Sequence, residues 1–272
     1  MIGMSVVMPL YRAKFIAWLC FESLIRQRDI DFEWELVIME EENDESVGYS
    51  LISSSVEKLQ NVGCIKVSYW SLKDWVPLAH KIKLLTDKCS VDSKIWTMAA
   101  ADHYYPPLRL KTCYNAFKND IDWYITQKLL HYDILTGELV VRRISPRGSG
   151  CKAVRMSIAK QIEDESTRWR GVDGWFYRAC TKVKGSELLT FVDNSDNWKY
   201  GISTYGFHNI SFGRGDKIKN KTSKFMSCDI ALSEIVPPEI LGRLIESRND
   251  LANHTIDIPD SVADRDYDFL DF

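Results

Sequence analysis

The chain is predicted to be an α/β protein with a mainly parallel central sheet. Short apolar runs rich in β-branched residues recur through the first hundred residues, and stretches with helical spacing separate them. Strands alternating with helices favour parallel pairing, because each crossover returns the chain to the same end of the sheet. The glycines supply a further observation. Gly3, Gly48 and Gly63 alone precede residue 137, whereas ten of the 14 fall between Gly137 and Gly215. A regular first half therefore gives way to a loop-rich α+β second half.

Residues 5–10 (Ser-Val-Val-Met-Pro-Leu) form the first expected strand. Phe15, Ile16, Leu19, Cys20 and Leu24, three and four apart, mark an amphipathic helix ending near Gln27. The second strand, 34–39, halts at an acidic run in which five of the six residues 40–45 are Asp or Glu. A helix over 47–59, a strand over 64–70, a helix over 78–86 and a strand over 94–100 complete the first half. After Pro106-Pro107 come a short helix (108–117), a strand (123–126), and a hairpin of 129–134 with 138–144 about Thr136-Gly137. Helices are expected over 156–162 and 175–182, and a last one from Pro237-Pro238-Glu239, since proline is tolerated in a first turn. Residues 1–225 are read as one domain with halves at 1–107 and 108–225. A C-terminal helix and an acidic tail occupy 226–272.

The chain has 272 residues, 45% hydrophobic and 27% charged, which excludes a wholly disordered or fibrous protein. No apolar run approaches the roughly 18–20 residues of a membrane span. The first residues carry neither a charged leader nor a cleavage site, so a cytoplasmic protein without a membrane span is expected. The seven cysteines are odd in number, lie 24 to 48 residues apart and include no Cys-x-x-Cys. They read as small buried hydrophobes rather than zinc ligands. The net charge of −3 is uneven: residues 1–140 carry −4, 141–224 carry +9 and 225–272 carry −8. An anionic ligand would meet the basic middle.

In open α/β sheets, ligands gather at the carboxyl ends of the strands. Three such ends are polar here: Pro9-Leu10-Tyr11-Arg12, Glu40-Glu41, and Ala101-Asp102-His103-Tyr104-Tyr105. No Gly-x-Gly-x-x-Gly turn and no P-loop follows the first strand, which excludes a Rossmann dinucleotide site and P-loop chemistry.

The order of these pieces resembles family 2 glycosyltransferases with the GT-A fold. Ser5-Val-Val-Met-Pro-Leu-Tyr-Arg12, a helix ending Glu22-Ser-Leu-Ile-Arg-Gln27, and Trp34-Glu-Leu-Val-Ile-Met-Glu-Glu41 are similar to that family's opening. Trp96-Thr-Met-Ala-Ala-Ala-Asp-His-Tyr-Tyr-Pro-Pro107 looks like the segment bearing its Asp-x-Asp metal motif, with Ala100 where the first aspartate stands. Trp169-Arg-Gly-Val-Asp-Gly-Trp-Phe-Tyr-Arg178 resembles the segment of the catalytic base, with Val172 replacing a Glu. The resemblance spans roughly residues 5–215.

It implies a metal-assisted, inverting transfer from a nucleotide-sugar, most simply a UDP-sugar, to an acceptor hydroxyl. Asp173 would be the base. Asp102 and the later His208 would hold manganese or magnesium, hard cations suited to oxygen ligands. Pro9, Tyr11, Arg12, Glu40, Glu41, Lys81, Asp102 and Arg214 would bind the donor. Trp169, Trp175 and Arg178 would bind the acceptor, a glycan or a modified base in DNA, and the basic run from Arg214 to Lys224 would close over the diphosphate.

Structural alternatives stand beside each role. Glu40 and Glu41 could belong to a solvated acidic loop. Asp102 could cap the helix after Pro106, Asp173 could be a helix N-cap, and the aromatic residues could be core. At the level of function, the rivals are a catalytically weak nucleotide-binding protein with an eroded metal motif, and a nucleotidyltransferase. The latter would want a glycine-rich phosphate loop that the first strand does not supply. Oligomeric state is not written in these features.

Overall fold

Strand β1 (Met4–Pro9) pairs in parallel with β2 (Trp34–Glu41) on one side and β4 (Ile95–Met98) on the other. It thus occupies the centre of the sheet. The structure, a computed structural model, describes residues 2–44, 46–134, 136–143, 152–165, 167–168, 171–205 and 225–247. Beyond β2 lies the edge strand β3 (Cys64–Leu72), again parallel.

The first half runs β1, α1 (Ala17–Ile25), β2, α2 (Gly48–Gln60), β3, α3 (Leu78–Lys88) and β4. The second half contributes β5 (His103–Tyr104), α4 (Arg109–Ala116), β6 (Trp123–Thr126), β7 (Lys128–Asp133) and β8 (Leu139–Arg143). It continues with β9 (Lys152–Arg155), α5 (Met156–Ala159), α6 (Val172–Lys184), β10 (Thr190–Asp193) and β11 (Ile202–Tyr205). Strand β12 (Phe225–Ser227) and the helices α7 (Leu232–Ile235) and α8 (Pro238–Glu246) follow. Among the described residues the main sheet has the order β10-β6-β9-β4-β1-β2-β3, and a second sheet has the order β12-β8-β7-β11-β5.

The alternation of side chains along the central strands builds both cores. Val6, Met8, Leu36 and Ile38 pack on one face with residues of α1 and α2. Val7, Val37 and Met39 point to the other, against α3 and α6. With both faces covered, the buried strands are apolar almost throughout, as parallel strands require. The mainly parallel α/β fold follows as expected.

The expected strands and helices of residues 5–100 all form, with ends shifted by a few residues. The hairpin forms as β7 and β8, antiparallel with Leu130 opposite Val141. Helix α6 begins three residues earlier than its apolar spacing indicates. Five short strands (β5, β9, β10, β11 and β12) were not expected from the sequence. Helix α8 docks on α1: Arg26 bonds Glu239 at 2.8 Å, and Arg243 lies 4.1 Å over the Trp18 ring. No helix among the described residues is long and apolar enough to cross a membrane.

The described cysteines carry no disulfide. Burial pushes the thiols of Cys64, Cys89 and Cys180 up to about 12. These are packed, unreactive sulfurs.

Candidate active site

Because β2, β1 and β4 are parallel neighbours, their carboxyl ends meet at one edge of the sheet. The chain order reverses there: β2 and β3 extend to one side of β1, and β4 to the other. Crevices outside such a reversal are where open α/β sheets bind ligands. Strand β9 runs antiparallel to β4, with Ala153 opposite Thr97, so Lys152 at its start lies at this same edge. Thr97 Oγ1 donates to Lys152 O at 2.7 Å across the pair.

Tyr11 and Arg12 leave β1 directly into the crevice edge. Arg12 takes φ +46°, a left-handed turn costly for a side-chain-bearing residue. Its guanidinium and the Lys81 ammonium each lie 5.7 Å from the Tyr11 ring centroid.

The two acids ending β2 are buried and occupied within the protein. Glu40 accepts from Val47 N at 2.6 Å and Gly48 N at 3.1 Å, satisfying orphan amides at the start of α2, and from Tyr69 Oη at 3.2 Å. Glu41 accepts from Val76 N at 3.2 Å and pairs with Lys81 Nζ. Lys81 Nζ also donates to Leu10 O at 2.6 Å. Burial draws the Lys81 ammonium below the usual lysine value, against the opposing charge of Glu41. The alternative of a solvated loop at residues 40–41 is not the one adopted: β2 runs two residues further than the apolar pattern, and both acids are buried. Glu40 and Glu41 end β2 and Lys81 pairs with Glu41 there, all three buried.

Asp102 follows β4, with its side chain 20% exposed and Oδ1 held by His103 Nδ1 at 2.7 Å. Its carbonyl accepts from Thr204 N at 2.8 Å and Thr204 Oγ1 at 2.9 Å, fixing the turn on β11. It does not cap α4, whose N-cap position is Leu108. Behind it, Tyr105 Oη accepts from Ala100 N at 2.7 Å, and the buried Arg109 guanidinium stacks 3.7 Å over Tyr105. Gln27 ties the end of α1 to this segment, donating to Pro106 O at 2.9 Å and accepting from Leu110 N at 2.9 Å.

Asp173 lies in the first turn of α6; the N-cap position is Gly171, at φ +60°, so the capping alternative is not the one adopted. The helix is seated by Phe176 stacked 4.5 Å from Trp96 and by Tyr177 edge-on to Trp123 at 5.2 Å. Asp173 is 32% exposed and pairs with the fully buried Lys152. At this edge Arg109 carries no signal in the sequence, and Lys152 stands out there only as one of several basic residues around the 145–150 loop. Both look like ordinary basic residues until pairing of strands distant in sequence buries them.

Trp175 and Arg178 occupy a different place. With Ala179 and Lys182 they recur at helical spacing on the face of α6 turned from Asp173, Phe176 and Cys180. Together with Gln161, Glu163 and Asp164 they line a cavity of about 490 Å³. Trp169, His208, Arg214, the 145–150 loop, the 214–224 basic run and the acidic tail lie outside the described residues.

Among the described residues no group of three His, Cys, Asp or Glu side chains could hold a metal ion. Asp102 offers a partly exposed carboxylate just past β4, whereas that of Asp173 is paired with Lys152. The Asp102 donor fits a cation of the magnesium kind, which keeps waters and uses one or two carboxylates plus substrate phosphates. It does not fit an all-protein cage.

No protein-family model and no curated protein sequence matches the chain. Solved structures do. The chain is similar to S. aureus TarS, with a TM-score of 0.56 and 15% identity, over 75% of this chain and 37% of that one. It is also similar to TarS 1–349 in complex with UDP (TM-score 0.54, 15% identity, 75% of this chain and 61% of that one). The same piece in complex with UDP-GlcNAc gives a TM-score of 0.50 at 14% identity, over 71% and 59% of the two chains. The similarity spans less than two thirds of the length of each of these TarS chains. The described fold, a central mainly parallel sheet with helices on both faces, is of the GT-A glycosyltransferase type.

Proposed function

We propose that this protein is a glycosyltransferase that moves a sugar from a UDP-sugar to an acceptor hydroxyl. The observation that carries the reading is the convergence of Asp102 and Asp173 on one edge of a GT-A-type sheet, each partly exposed and each held by a basic neighbour. The UDP and UDP-GlcNAc complexes of TarS, which shares this fold, support a uridine donor.

The nucleotide lies over the β1 end, where Tyr11 offers a ring face and Arg12 a positive charge for the diphosphate. Pro9 shapes the strand exit beneath it. Asp102 would hold a divalent cation, manganese or magnesium, completed by the donor's phosphates, with His208 a further ligand. When bound, the cation neutralises charge on the departing diphosphate. Asp173 accepts the proton of the acceptor hydroxyl while the acceptor oxygen bonds the anomeric carbon from the side opposite the leaving group, inverting it. The C–O bond to the diphosphate breaks in that displacement, releasing UDP. Arg214 belongs with the donor phosphates and Trp169 with the acceptor, a glycan in this reading, whereas Trp175 and Arg178, on the face of α6 turned from Asp173, stand outside that site.

Release of UDP from UDP-glucose and UDP-GlcNAc tests the proposal. Wild type should turn over at least one of them slowly with water as acceptor. Asp173→Asn should lower that rate by about 10²–10⁴-fold, the range general-base catalysis contributes. An Asp173→Asn variant as active as wild type would overturn the assignment of the base.

A further inference from the structure

A buried charge is built in beside Asp173. Lys152 opens β9 with none of its side chain exposed. β9 is paired on both sides, with β4 and β6, so the lysine backbone is fixed. An ammonium buried there demands a counter-charge. Asp173 supplies it: Lys152 Nζ donates to Asp173 Oδ1 and lies 5.3 Å from the Phe176 ring centroid. Phe176 in turn stacks on Trp96 of β4, so the wall behind the lysine is held as well.

Asp173 itself is one-third exposed, on the first turn of a helix. Alone, such a carboxylate would rotate about its side-chain torsions. Tied through one oxygen to a buried lysine, it is restrained while about a third of it stays exposed, and no hydrogen bond from a described residue is seen to the second oxygen. Fixed geometry of this kind is what proton abstraction needs.

We infer that Lys152 is the positioning residue of Asp173, an inference that rests on the glycosyl-transfer reading above. In the transfer, the acceptor proton passes to the second oxygen of Asp173 as the acceptor–carbon bond forms and the bond to the diphosphate breaks. Lys152 takes no part in that proton transfer.

The test measures UDP release from a panel of UDP-sugars, with water as acceptor, for wild type, Asp173→Asn, Lys152→Met and Lys152→Ala, with melting temperature alongside. Lys152→Met should lose about 10²-fold in kcat, with KM for the donor within about twofold of wild type, since a small misplacement of a catalytic group costs that much. Lys152→Ala should regain about tenfold or more when ethylammonium is added, and nothing with ethanol. That recovery keeps the test open if the methionine variant melts early. Wild-type kcat in Lys152→Met, or a melting temperature restored by ethylammonium without turnover, would overturn the inference. An inactive Asp173→Asn beside an active Lys152→Met would sink the positioning role alone. Turnover unaffected in both would sink the base assignment with it.

Discussion

At Arg12 the backbone is left-handed, with φ +46° immediately after the central strand. L-residues with side chains pay about 1–2 kcal/mol for that region, and such strain gathers where a side chain is needed in place. Arg12→Gly should therefore leave stability equal or raise it by up to about 1 kcal/mol in urea denaturation, while weakening UDP-sugar binding about tenfold by calorimetry. Lower stability with unchanged affinity would remove Arg12 from the donor site. A second residue-scale consequence concerns His131, fully enclosed in β7. Burial, with Arg142 and His103 adding to it, holds its imidazole well below the usual histidine range, so it is neutral in the fold. The unfolded chain binds its proton below about pH 6.5. Unfolded protein then carries more protons than native, and stability falls as pH drops from about 6.5 toward the lowered native value. Urea denaturation at pH 7.5, 6.5 and 5.5 should show a steeper acid loss in wild type than in His131→Gln, by up to about 1.4 kcal/mol per pH unit. Equal slopes would contradict the buried neutral imidazole.

Helix α6 carries the proposed base, Asp173, on a face held by packing. Its stacked Phe176 is 1% exposed against Trp96, and Asp173 stands one turn earlier on the same face. Phe176→Ala should cost about 3–5 kcal/mol and lower UDP-sugar turnover more than donor affinity, because the helix and its carboxylate shift together. Thermal melts and steady-state kinetics read the two effects separately. Elements of the first half were legible because residues 5–100 repeat a simple apolar rhythm, period two or three to four, that local packing obeys. The second half was not. Strands β5, β9, β10, β11 and β12 are two to four residues long, too short for a period to register, and they exist through pairing with strands distant in sequence. Lys152 illustrates the consequence: in sequence it is one basic residue among many in a loop-rich stretch, and only the β4–β9 register buries it against Asp173. Glu40 and Glu41 went the other way. An acidic run reads as solvent-facing, yet helix α2 and Lys81 supply the donors that let both be buried.

For the whole molecule, the sheet order is what unites the site. Asp102, Asp173 and the adjacent Tyr11 and Arg12 come from three places along the chain, and the reversal of strand order about β1 brings their strand ends or partners to one edge. That edge was legible from the sequence, since parallel strands have only one carboxyl end. The partners that hold each group were not, because single residues give no account of what faces them across the fold. A donor crevice at this edge, with a cation completed by the donor's own phosphates, is the central claim. Calorimetric titration of UDP, GDP and UDP-glucose, each with and without manganese, tests it most directly on wild type and Asp102→Asn. UDP and UDP-glucose should bind wild type more tightly with manganese, GDP less well than UDP, and the manganese effect should vanish in Asp102→Asn. Manganese alone should bind weakly or not at all. The absence of nucleotide binding with or without metal, or a manganese effect undiminished in Asp102→Asn, would contradict the account.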